Sequence, residues 1–94
     1  MSTEITDNAE KSRYEIRVDG DLAGFVEYER EGDAVVLIHT EVDPAFEGKG
    51  VGSSLARGTL DDIRGKGGSV VPVCPFIKKW IGKHPDYQDL VAES

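Results

Sequence analysis

One cysteine, one methionine and one tryptophan occur in 94 residues, and aromatic side chains make up 7% of the chain. The lone cysteine, Cys74, excludes an intrachain disulfide framework and any zinc site built on several thiolates, so no metal is expected. No apolar run approaches the roughly 18 residues of a membrane-spanning helix, and no membrane contact is expected. The opening MSTEITDNAE lacks the basic and apolar regions of a secretory leader, which makes a cytoplasmic protein the default expectation. An excess of positive charge is also missing. Eleven Lys and Arg against 18 Asp and Glu leave a net charge of −7, which excludes a surface given over to nucleic acid or anionic lipid. The length admits one domain with one core, and no cleft between two lobes.

The charge that is present divides unevenly. Residues 1–47 carry four basic and thirteen acidic side chains, a balance of −9, whereas residues 48–94 carry seven and five, a balance of +2. A site formed between the halves would have one acidic wall and one mildly basic wall.

Residues 1–12 hold one strong hydrophobe, Ile5, and read as a flexible tail ahead of a single domain over 13–94. From Tyr14 the chain alternates: Tyr14, Ile16 and Val18 share one face, and Glu15, Arg17 and Asp19 the other, as in a half-buried strand. The turn signal DGD at 19–21 leads into a returning strand over 22–30, and EGD at 31–33 into a third over 34–42. The third strand starts continuously apolar, as if covered on both faces, and alternation places His39 and Glu41 on the face of Leu37. The period then changes. Val51, Leu55, Thr59 and Ile63, flanked by Ala56 and Leu60, predict a helix over about 50–65, although Gly58 within it costs about 1 kcal/mol relative to alanine. SVVPVC at 69–74 predicts a fourth strand. PFIKKWIGK predicts a second helix with Phe76, Ile77, Trp80 and Ile81 turned inward, and HPDYQDLV a last turn or edge strand. The order βββαβα, with two main helices, gives an α/β fold on a mixed sheet.

Between the third strand and the first helix lies EGKGVGSSL, with Gly48, Gly50 and Gly52. The first N–H groups of a helix have no intrahelical acceptor, its dipole favours an anion there, and glycines let the backbone approach one closely. Pyrophosphate fits that description. The segment is not a P-loop, because no Gly-Lys-Ser/Thr follows, and it lacks the spacing of the dinucleotide fingerprint. The plain alternative is a glycine-rich turn into a helix.

VDPAFEGKGVGSSL resembles the acyl-CoA pyrophosphate loop of the GNAT superfamily of N-acyltransferases. Together with VVPVCPFIKKWIGKHPDY, it resembles a small single-domain branch carrying a Cys-Pro-Phe segment and a His-Pro-x-Tyr end. The resemblance covers about residues 14–91. It implies a minimal GNAT-like mixed sheet in which acetyl-CoA lies in a wedge between two splayed strands. Pyrophosphate would sit on the N–H groups of Glu47, Gly48, Lys49, Gly50, Val51, Gly52 and Ser53, and pantetheine along the backbone near Val42. Phe76 and Lys79 would add cofactor contacts from the second helix. Glu47 departs from the pattern, standing where the family usually carries Arg or Gln. A carboxylate beside pyrophosphate is unfavourable unless it points away.

Cys74 stands out on physical grounds as well. Pro72 and Pro75 lack N–H donors, so this strand cannot pair fully over 72–75 and belongs at an edge or beside a splay. With Pro75 at the first helical position, Cys74 caps the second helix at its positive dipole end, a setting that favours thiolate. It could accept the acyl group or protonate the departing CoA thiolate. The plain alternative is a small buried hydrophobe. His39 and Glu41, at the end of the third strand, are candidates to take the proton that an attacking amine must lose. Resemblance favours Glu41, and a solvated hydrogen bond between the two is the plain alternative.

These readings give an acetyl-CoA-dependent N-acyltransferase acting on a small amine or lysine-containing acceptor, as a monomer or weak homodimer. A non-catalytic CoA-binding module and a small α/β interaction domain are the alternatives. Only DGD joins the first two predicted strands, so no helices wall an acceptor site there.

Overall fold

The computed structural model describes residues 2–92. Four strands in succession, β1 (Thr3–Asn8), β2 (Arg13–Val18), β3 (Asp21–Glu31) and β4 (Ala34–Val42), form an antiparallel meander. A short 3-10 turn at Pro44–Phe46 leads to α1 (Val51–Gly65), which crosses over to β5 (Ser69–Pro72). β5 joins the sheet parallel to β4, giving the order β1-β2-β3-β4-β5. α2 (Pro75–Gly82) and a 3-10 segment at Pro85–Leu90 follow.

The meander gains one strand over the sequence expectation. Residues 3–8 are an edge strand and not a tail, paired with β2 from Thr3–Val18 to Asn8–Arg13. Two contacts explain how so polar a segment is held. Half-buried Ile5 lies against α1 at Gly58, where an added methyl would fall well under 3.0 Å from the Ile5 side chain. The helix therefore carries glycine at the position where β1 crosses it. Asp7 accepts hydrogen bonds from the Tyr28 hydroxyl at 2.5 Å, Arg30 at 3.0 Å and Lys66 at 3.3 Å. Lys66 also pairs with Asp62, which accepts the Tyr14 hydroxyl at 2.6 Å. Burial first, then the Asp62 carboxylate, raises the Tyr14 phenol far above its ordinary value.

Both helices lie on one face of the sheet. Ile16, Val26, Leu37 and Val70, all fully buried, meet Leu55, Leu60 and Ile63 of α1 and Ile77 of α2. Burying side chains of this size contributes about 1.5–3 kcal/mol each, which makes this face the main source of stability. Trp80 closes one end, stacked on His84 at 3.7 Å between ring centroids and edge-on to Tyr87. The Tyr87 hydroxyl donates to Asp61 at 2.7 Å, so this tyrosine is an anchor for the C-terminal segment. Val91 then forms a parallel bridge to Val70, so residues 85–91 supply both a turn and an edge contact. Among the described residues, no helix is long and apolar enough to cross a membrane.

Candidate active site

β4 and β5 pair only from Ala34–Ser69 to Leu37–Pro72. Beyond Pro72 the chain turns away, and the N–H groups of Val73 and Cys74 both reach the carbonyl of Leu37, at 3.0 and 2.8 Å. Proline at 72 and 75 removes the donors that would continue the ladder. β4 runs on to Val42 beside β3 alone, so the strands open into a wedge along residues 38–42.

At one end of the wedge stands the start of α1. Gly48 and Gly50 both adopt left-handed backbone, with φ of 80° and 74°. Gly50 is the N-cap and offers no side-chain acceptor. The N–H groups of the first turn thus lack the capping partner that Ser, Thr or Asp would provide. Gly52 allows a close approach, since a Cβ there would lie 3.1 Å from the Phe76 ring and 3.6 Å from the Val42 side chain. The expected cofactor contacts Val42, Gly52 and Phe76 are therefore neighbours. Phe76 is 42% exposed, not turned inward: its ring lies at the mouth of the wedge over Gly52, while Ile77, Trp80 and Ile81 fill the core. The Ser53 hydroxyl accepts the Trp80 indole N–H at 2.9 Å, which ties α1 to α2 behind the loop. Val51 is buried in the core, so only its backbone can serve a ligand. Glu47 and Lys49 are exposed, the lysine 5.9 Å from the Phe46 ring, and Lys79 is exposed on α2.

Cys74 is the N-cap of α2, Pro75 opens the helix, and the thiol is 3% exposed. Its sulfur lies 3.2 Å from the Thr40 hydroxyl. Thr40 escaped sequence reasoning because β4 carries a bulge. Leu37 pairs with Tyr28 and His39 with Glu27, so Ile38 is an extra residue and the alternation slips by one. Thr40, opposite buried Val26, takes the inward face. His39 and Glu41, expected on the face of Leu37, lie on the opposite face, across from Glu27 and Phe25. Their side chains are 53% and 60% exposed and 3.6 Å apart, a pair that gains Coulombic attraction only when the imidazole is protonated. The candidates therefore split around one strand. Thr40, Val42, Cys74, Phe76 and the glycine loop share the inner side of the wedge, and His39 and Glu41 the outer side. Nothing in the chain's periodicity marks the bulge.

The uncovered face of the sheet also holds a buried charge. Glu15 is 4% exposed, with Arg13 at 2.7 Å, Arg17 at 3.5 Å and the Asn8 amide at 3.4 Å. Burial acts to raise its carboxyl, but the bonds from Arg13 and Asn8 outweigh it and hold the group below its ordinary value. Among the described residues, no group of three or more His, Cys, Asp or Glu gathers in a way that could hold a metal ion.

A family model described as GCN5-related N-acetyltransferase matches residues 13–90. No curated protein sequence matches the chain closely enough to count as a relative. Among solved structures, the chain superposes on a GCN5-like putative N-acetyltransferase from Staphylococcus aureus with a TM-score of 0.72. That pair is 22% identical over 97% of this chain and 89% of the other. A ribosomal-protein-alanine N-acetyltransferase from Brucella melitensis biovar Abortus gives 0.56 at 25% identity, over 87% of this chain and 62% of that one. The ribosomal-protein-S18-alanine N-acetyltransferase of Escherichia coli gives 0.57 at 22% identity, over 62% of this chain and 38% of that enzyme. The chain thus spans less than two thirds of either ribosomal-protein enzyme.

Proposed function

The chain belongs to the GCN5-related N-acetyltransferase family, and from that premise we propose that it transfers an acetyl group from acetyl-CoA to an amine. The observation that carries this reading is the coincidence of two features at one place. The uncapped, glycine-led start of α1 stands where β5 leaves β4, with Gly52, Val42 and Phe76 in contact across the gap.

The residues present fit an acyl-CoA. Backbone N–H groups over Gly48–Ser53 would hold the pyrophosphate, and the edge of β4 near Val42 would hold the pantetheine by strand-like hydrogen bonds. Lys49 and Lys79 add positive charge, and exposed Glu47 keeps its carboxylate in water. When bound, acetyl-CoA supplies a thioester whose acetyl carbon takes the amine nitrogen as the C–S bond breaks. Glu41 receives the proton that the amine loses, directly or through water, and His39 stands beside it at 3.6 Å as a second acceptor. Cys74 carries a proton for the departing thiolate, its sulfur positioned by Thr40. The rival role, Cys74 carrying the acetyl group itself, separates by intact mass after incubation with acetyl-CoA and no acceptor.

Two measurements test the reading. Binding to the native state raises stability by RT ln(1 + [L]/Kd), so acetyl-CoA at 100 times its Kd should add about 2.7 kcal/mol. Loss of acetyl-CoA over a panel of amines should then depend on Cys74 and Glu41, with Cys74→Ala and Glu41→Gln each at least about tenfold slower while binding persists. Stabilisation without turnover would make the chain a CoA-binding module. No stabilisation would overturn both.

A further inference from the structure

We infer that a cleft at the end of the sheet, beside Glu41, receives the acceptor, a primary amine carried on a short apolar or aromatic stem. This rests on the acetyl-transfer reading above and adds to it the class of substrate. The cleft has a volume of about 490 Å³ and lies where β3 begins and β4 ends. Its walls are Leu22 to Phe25 on one side, and Glu41, Val42, Asp43 and Pro44 on the other, so inward-facing Gly24 and Val42 border it together with outward-facing Phe25 and Glu41. The volume falls within the range of small-molecule sites, roughly 300–1,000 Å³.

The lining selects the ligand. Most of it is hydrocarbon, and two carboxylates border it. Asp43 is partly engaged, since one of its oxygens accepts the Ala45 N–H at 2.9 Å in capping the turn that follows β4, and its charge and second oxygen remain open. The Glu41 carboxylate accepts no hydrogen bond among the described residues and has His39 as its ionic neighbour, at 3.6 Å. One free carboxylate beside apolar walls suits one ammonium group on an apolar body. The two carboxylates can pair two ammonium groups at most, and a third, as in spermidine, would have to shed water against hydrocarbon without a partner. Phe25 offers a ring for stacking, and the Arg13 guanidinium, 4.6 Å from its centroid, steadies that ring.

Position links the cleft to the wedge. Glu41 lies between Thr40, which touches the Cys74 sulfur, and Val42, which meets Gly52. β5 has departed at Pro72, so the edge of β4 over 38–42 is open, and an amine at Glu41 can reach around that edge to the inner side. This is an acceptor site made without any helices between β2 and β3, which are joined only by Asp19 and Gly20.

The test is a titration of the ¹⁵N-labelled chain with phenethylamine, followed by amide shifts. Saturable shifts are expected at 22–25 and 41–43, with affinity weakened about tenfold by Phe25→Ala and by Glu41→Gln. Leu22→Ser, on the neighbouring part of the wall, should act in the same direction and guards against a Phe25 variant that fails to fold. Spermidine should bind about tenfold more weakly than phenethylamine. Shifts that do not saturate, that fall elsewhere or that ignore these substitutions would overturn the inference. So would tighter binding of spermidine or of a lysine-containing peptide. A parallel titration with acetyl-CoA keeps the two ideas apart. Silence at 48–53 there would defeat the acetyl-transfer reading, while the amine titration on the free chain still decides the cleft.

Discussion

Gly58→Ala should fail to stabilise this protein, although it replaces glycine inside an exposed-faced helix. Intrinsic propensity alone favours alanine by about 1 kcal/mol. The new methyl, however, would lie well under 3.0 Å from the Ile5 side chain, which the crossing of β1 over α1 holds in place. Overpacking of this kind costs about 1–3 kcal/mol. The net expectation is a loss of about 1 kcal/mol, or release of β1 with its bonds from Tyr28, Arg30 and Lys66 to Asp7. Ile5→Ala removes the side-chain atoms beyond Cβ and leaves that Cβ 3.2 Å away, so in that background Gly58→Ala should recover most of its gain of about 1 kcal/mol. The double-mutant cycle therefore predicts a coupling of about 2 kcal/mol between residues 53 positions apart in the chain. Urea unfolding measures all four free energies, and amide exchange of residues 3–8 reports whether β1 stays docked. A full gain from Gly58→Ala in the unmodified chain, with exchange of β1 unchanged, would refute the packing of β1 on α1.

Two further perturbations probe the sheet. Gly24→Ala would set a Cβ 2.6 Å from the carbonyl oxygen of Glu41, backbone that cannot rotate away, so thermal unfolding should show a loss of about 2 kcal/mol; an unchanged midpoint would contradict the close crossing of β3 and β4. Glu15, held below its ordinary value of 4.5, contributes stability that is complete above that pH and is lost as pH falls through its lowered folded value. Glu15→Gln should therefore cost about 2 kcal/mol at pH 7 and progressively less as the medium is acidified, read by urea unfolding between pH 7 and 3.

Most of this architecture was legible because its signals are periodic. Tyr14, Ile16 and Val18 alternate as a strand does, and Val51, Leu55 and Ile63 recur as a helix requires, so β2 and α1 follow from hydrophobic spacing. Pro72 and Pro75 announced where β5 would stop pairing, and the structure opens there. Features that depend on partners distant in sequence were not legible. β1 has one strong hydrophobe and is held by Asp7 and by the absence of a side chain at Gly58, neither of which carries a local signal. The bulge at Ile38 is a matter of register between two strands, and it exchanges Thr40 for His39 and Glu41 on the inner face. Phe76 shows the limit of helical spacing, since it fits the apolar stripe of α2 yet lies exposed over Gly52.

The uneven charge gains a geometric meaning from the same wedge. The glycine loop, Lys49, Cys74 and Lys79 all come from the +2 half, with the loop and Cys74 on the inner side of the wedge, while outward-facing Glu41 from the −9 half borders the cleft. The most direct test of this arrangement is an acetyl-CoA titration of the ¹⁵N-labelled chain, followed residue by residue. The account predicts saturable shifts at the amides of 48–53, at 40–42 on the open edge of β4, and at Cys74 and Phe76. Shifts confined to other surfaces, or none at millimolar acetyl-CoA, would contradict it.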